Sequence, residues 1–182
     1  MRQLLLLRHA KSSWDDAKLP DRDRPLNPRG RRNAVALRQA MRELGLAPDL
    51  VLVSSAKRTS ETLEALEPWD DTPLIEPMDS LYLATAPQLL AVLQAVAETV
   101  RSVLLIGHNP GLHDLATSLS EARPTGDQQR DAERRLAAGF PTASLAEFAI
   151  AGPWWQIGPR AGRLLRFLTP ADLTDSRPGP AD

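Results

Sequence analysis

Three short runs of this chain could place cations and imidazoles together: Arg8-His9-Ala10-Lys11-Ser12, Ser54-Ser55-Ala56-Lys57-Arg58-Thr59 and Gly107-His108-Asn109-Pro110-Gly111. The chain holds three histidines, two of them in these runs, and His113 lies about one helical turn beyond the last. Each run follows an apolar stretch: Leu4 to Leu7, Leu50 to Val53 and Val103 to Ile106. Strands buried on both faces read as continuous apolar runs, so the first polar residues emerge together at one end of a sheet. Ligands bind at the carboxyl ends of strands in open α/β sheets, and arginines with imidazoles there suit an anion, phosphate first.

Phosphoryl transfer needs an in-line nucleophile and positive groups around the equatorial oxygens. His9 suits the nucleophile, because a neutral imidazole has a free lone pair at physiological pH. Arg8 and Arg58 suit the clamp, each guanidinium presenting a planar fork to two oxygens. His108 would be a further donor. Lys11, Ser12, Ser55 and Asn109 are candidate substrate-binding residues beside them, with Ser54 and Thr142 in supporting positions.

The three motifs, in this order, resemble the histidine phosphatase superfamily. Ala10-Lys11-Ser12 after the first histidine and Asn109-Pro110-Gly111 after the second are similar to its small SixA-like branch, whose named activity is phosphohistidine phosphatase. The resemblance runs from the first strand to about Leu119, and more loosely through the strand after Pro141-Thr142. It implies a phosphoglycerate mutase-like fold, a phosphohistidine intermediate on His9, and a catalytic core of Arg8, His9, Arg58 and His108. Larger branches carry a glutamate where Ala10-Lys11 stands, which disfavours a mutase, and a carboxylate proton donor whose best match here is Asp79. Expelling an alkoxide requires a proton, whereas imidazole leaves with much less help. A weak acid would therefore favour phosphohistidine over sugar or alkyl phosphates.

The expected partner is a phosphorylated protein carrying phosphohistidine or a small phosphorylated molecule, with a phosphate-binding regulatory protein as the non-enzymatic alternative. Lys and Arg number 22 against 23 Asp and Glu, so bulk charge points to neither nucleic acid nor a membrane surface. Cysteine is absent, which excludes disulfides, thiolate metal sites and thiol nucleophiles. No His and carboxylate group has metal-binding spacing, so neither metal nor cofactor is expected. The leucine run is short for a signal-peptide core and is interrupted by Arg8, so a cytoplasmic location is expected.

Strands alternating with helices predict a three-layer α/β/α fold with a mostly parallel sheet. A polar loop from Trp14 to Pro25, holding Asp21-Arg22-Asp23-Arg24, borders the site. Asn27-Pro28 starts a helix with a stripe of Val35, Leu37, Met41 and Leu44, stopped by Gly45. Further helices are expected over 56–66 and 87–100, with an extended piece at Leu74-Ile75-Glu76. Residues 121–139 read as a loop or a solvent-exposed helix, either a lid or a solvated insertion. Leu145 to Ile150 and Gly162 to Leu168 read as a hairpin. One domain is expected over 1–174, with 175–182 a disordered tail.

Overall fold

The computed structural model describes residues 1–121 and 123–174; the expected tail at 175–182 lies outside the described residues. Six strands form one sheet: β1 (Arg2–Arg8), β2 (Leu50–Ser54), β3 (Leu74–Met78), β4 (Ser102–Gly107), β5 (Leu145–Ile150) and β6 (Gly162–Leu168). Their spatial order is β3-β2-β4-β1-β5-β6. The first four are parallel, and β5 and β6 join as an antiparallel pair beside β1.

The continuous apolar runs arise because both sheet faces are covered. Leu4 and Leu6 of β1 pack on one face with Val103 and Leu105 of β4. Leu5 and Leu7 pack on the other with Leu104 and Ile106. All eight side chains are fully buried, each worth about 1.5–3 kcal/mol relative to exposure. Helices α1 (Pro28–Glu43), α2 (Lys57–Leu66) and α6 (Pro170–Thr174) share the second face through residues such as Leu37, Leu66 and Leu173. Helices α3 (Ala86–Gln94), α4 (Gly111–Leu119) and α5 (Asp127–Ala138) cover the first through Leu93, Leu115 and Leu136. This is the expected three-layer arrangement of helices on both faces of a mostly parallel sheet.

The α1 start is as read: Pro28 opens the helix and Asn27 Oδ1 accepts from the Gly30 amide at 2.7 Å. Its buried stripe differs. Val35 and Leu44 are exposed, and Gly30, Ala34, Leu37 and Met41 face inward. Small residues on that stripe let the start of the helix approach the backbone closely. Gly45, at φ +66°, follows the helix in the left-handed region glycine favours. Helix α3 ends at Gln94 rather than near Val100, and a capping box of Thr85 and Gln88 starts it.

The segment expected to be a lid or a solvated insertion is a packed layer element. Gln129, Ala132 and Leu136 of α5 are buried, and Ala132 and Leu136 join the core with Phe167 of β6. Asp127, Arg130 and Arg134 on its other side are exposed, which is why composition hid the buried stripe. Among the described residues, no helix is long and apolar enough to cross a membrane.

Candidate functional site

The three polar exits meet because β2, β4 and β1 are neighbours running in one direction. Arg8 stands beside Gly107 in the register of β1 with β4, and the His9 amide donates to the Gly107 carbonyl at 3.2 Å. The His9 and His108 rings consequently lie 5.3 Å apart between centroids, tilted by 53°. From β2, Ser54 Oγ meets His108 Nε2 at 2.7 Å, and the first turn of α2 brings Arg58. Arg8, His9, Arg58 and His108 line an open cavity of about 340 Å³ at the carboxyl end of the sheet.

His9 is held in one tautomer. Its Nδ1 lies 2.8 Å from the Ala10 carbonyl, which only accepts, so Nδ1 carries the hydrogen and Nε2 keeps the lone pair in the neutral ring. Burial, opposed by that carbonyl and reinforced by Arg58, Arg8 and Arg24, lowers the His9 pKa to about 4. The Ala10 amide donates to Thr62 Oγ1 at 3.0 Å. Gly30 seals the other side, since a Cβ there would stand 2.2 Å from the Lys11 carbonyl oxygen.

His108 is buried and its pKa is lowered to about 3, first by desolvation and then by His9 and Arg58. A neutral ring accepting from Ser54 at Nε2 carries its hydrogen on Nδ1, and that buried nitrogen has no hydrogen-bond partner among the described residues. Arg8 donates from Nη1 to the Phe140 carbonyl at 3.0 Å, and Asn109 Nδ2 donates to the same oxygen at 2.9 Å. Residues just beyond α5 thus orient two side chains of the site.

Arg58 is only 3% exposed. Its partner is Asp21: Nη1 donates to the Asp21 carbonyl at 2.7 Å and Nη2 to its carboxylate at 3.0 Å. Glu61, one helical turn after Arg58, accepts from the Leu26 amide. The Asp21 carboxylate also accepts from Arg24 and the Tyr82 hydroxyl. The Tyr82 hydrogen bond first, then Arg58 and Arg24, hold its pKa down to about 2 against partial burial.

Several of these residues have no individual role assigned by the sequence, although Arg24 lies in the loop expected to border the site. Arg24 is buried, donates to Ser12 Oγ at 2.8 Å and stacks on Trp14 at 3.5 Å. The signal was present, since residues i and i+3 of a 3₁₀ turn share a face and Asp21 opens such a turn before Arg24. Tyr82, edge-on to His108 at 5.5 Å, and Leu83 on the cavity wall had no comparable cue.

Lys11, Ser12, Asn109 and Thr142 all line the cavity. Ser55 and Asp79 do not. They bond each other and Arg22 at its outer edge, where the Asp79 side chain is 81% exposed. The Ser55 hydroxyl, then Arg22, lower the Asp79 pKa. His113 sits apart, its Nε2 donating to the Leu136 carbonyl at 2.7 Å. Trp154 is buried in the core and Trp155 is exposed, both outside the cavity. Among the described residues, no three His, Asp or Glu side chains group as a metal site.

Residues 4–78 match the model of the histidine phosphatase superfamily (branch 1). An uncharacterized protein of Mycobacterium tuberculosis is 34% identical over 164 residues, which cover 90% of this chain and 99% of that protein. The chain belongs to the histidine phosphatase superfamily. That membership makes hydrolase-type phosphatase chemistry its activity class. A structure provisionally named phosphohistidine phosphatase SixA from Nakamurella multipartitia superposes with a TM-score of 0.79 at 29% identity, covering 93% of this chain and 96% of that one. Another, provisionally given the same name, from Agrobacterium tumefaciens, gives 0.75 at 30% identity over 92% and 97%. The histidine phosphatase frame therefore spans nearly the whole chain, beyond the stretch the family model matches.

Proposed function

We propose that this histidine phosphatase hydrolyses phosphohistidine on a protein, passing the phosphoryl group through His9. The observation that carries this reading is that a neutral, oriented imidazole stands among cations while Asp21 and Asp79 are both held below the ordinary carboxylate range. A carboxylate that stays ionised donates no proton, so the site suits a leaving group that needs none. Phosphohistidine protonated on its second ring nitrogen releases neutral imidazole. The likeness to the SixA structures supports the same reading.

In the first step the His9 Nε2 lone pair forms a bond to phosphorus. The substrate's nitrogen–phosphorus bond breaks, and its electron pair stays with the leaving imidazole. Arg8, Arg58 and His108 surround the equatorial oxygens, with Lys11, Ser12 and Asn109 at the margins. In the second step water attacks phosphorus, releasing inorganic phosphate and neutral His9, with the water proton passing to solvent. Asp79 and Ser55 act here as supports for Arg22 rather than as acid and ligand.

The test is phosphate release from a phosphohistidine-bearing protein and from a panel of phosphate esters, with wild type and His9→Ala in parallel. Preferential release from phosphohistidine that depends on His9 is expected. Preference for an ester would move the substrate to a small molecule, and anion binding with no release from any substrate would make the protein a phosphate-binding regulator.

A further inference from the structure

A second cavity, of about 260 Å³, adjoins the first and shares Lys11 and Thr142 with it. Its walls add Arg29 and Asn33 from the first turns of α1, with Thr169 at the end of β6. Among the described residues, two cations line it and no carboxylate does. Neither Lys11 nor Arg29 makes an ion pair among the described residues. Elsewhere around the site Arg58 and Arg24 are paired with Asp21 and Arg22 with Asp79, while Arg8 faces the first cavity and donates to the Phe140 carbonyl. Lys11 and Arg29 thus add positive charge on this side beyond the Arg8 guanidinium of the first cavity.

We propose that this second cavity is an anion subsite that takes an acidic side chain of the polypeptide carrying the phosphohistidine. The proposal rests on the phosphohistidine reading and deepens it. A phosphoryl group at His9 is already matched by Arg8, Arg58 and His108, so Arg29 and Asn33 meet a different group of the same substrate. Lys11 and Thr142 form the wall between the two cavities, so one chain can lie across both. A carboxylate suits the set, because Arg29 supplies a forked donor, Lys11 a point charge and Asn33 an amide hydrogen.

The probe is a peptide bearing a phosphonate analogue of phosphohistidine, with glutamate or glutamine on both sides of it, titrated calorimetrically against wild type, Arg29→Gln and Arg29→Lys. Wild type should bind the glutamate peptide about five-fold more tightly, as expected for a solvent-exposed ion pair, and less so at high salt. Arg29→Gln should abolish the difference, Arg29→Lys should keep most of it, and hydrolysis of phenyl phosphate should be unchanged in both. Equal affinity of wild type for the two peptides, failure of both to bind, or a preference that survives in Arg29→Gln overturns the subsite. Phenyl phosphates with and without a distant carboxylate form a further arm, and a gain confined to them overturns the assignment to a polypeptide. Absence of phosphate release from authentic phosphohistidine, with the peptide preference intact, removes the proposed function and leaves the subsite standing.

Discussion

Asp21 holds Arg58 at two points, its backbone carbonyl accepting from Nη1 at 2.7 Å and its carboxylate from Nη2 at 3.0 Å. The charge that would meet a phosphoryl oxygen is thus matched in the free protein by a carboxylate from the loop after β1. Removing it leaves a buried guanidinium short of a partner. Asp21→Ala should lose on the order of 1 kcal/mol, kept small because the Asp21 side chain is 44% exposed. Added phosphate should raise the melting temperature more in Asp21→Ala than in wild type, because the anion replaces the missing partner. Equal shifts would mean that phosphate does not reach Arg58.

Both site imidazoles are depressed, to about 4 for His9 and about 3 for His108, while an unfolded chain protonates them near 6.5. Below that value the unfolded state binds more protons, so stability present at neutral pH is lost as the pH falls, and this loss levels off beneath the folded values. Urea midpoints should therefore decline between about pH 7 and 5, before the carboxylates titrate. Replacing both histidines with asparagine should flatten that slope, and a slope unchanged in that variant would contradict the assignment.

Gly30 and Gly45 bracket α1 and should fail differently. A Cβ at Gly30 would overlap the Lys11 carbonyl, pushing on the backbone that carries His9. Gly30→Ala should cost about 1–3 kcal/mol and reduce turnover as well. Gly45 has open space around it and a positive φ, so Gly45→Ala should cost about 1 kcal/mol and leave turnover intact. Thermal melts with parallel activity assays separate the two.

Asp79 is paired with Arg22 and Ser55 at the outer edge of the cavity. Asp79→Asn should change phosphohistidine hydrolysis by no more than about two-fold, the ordinary range for surface substitutions. A selective collapse of ester hydrolysis in this variant would instead make Asp79 the proton donor.

The sheet and the strand exits were legible because β1, β2 and β4 are buried on both faces, which forces continuous apolar runs and concentrates the first polar residues at one end. Asn27 and Pro28 marked the α1 start for an equally local reason. The α1 stripe was misread at Val35 and Leu44, since apolar type alone does not identify the inward face when alanine and glycine occupy it. The loop holding Asp21 and Arg24 is legible as bordering the site, but the pairing of Asp21 with Arg58 spans 37 residues of sequence, which no local pattern encodes. Helix α5 was obscured by charges that cover its outer face.

The most direct test is to mix the protein with a substrate carrying isotopically labelled phosphohistidine, quench under alkaline conditions within one turnover, and locate the label by peptide mass spectrometry. Label on His9 in wild type, with turnover reduced by at least about a thousand-fold in His9→Ala, is the predicted result. Rapid phosphate release by His9→Ala, or label settling on another residue, would contradict the account.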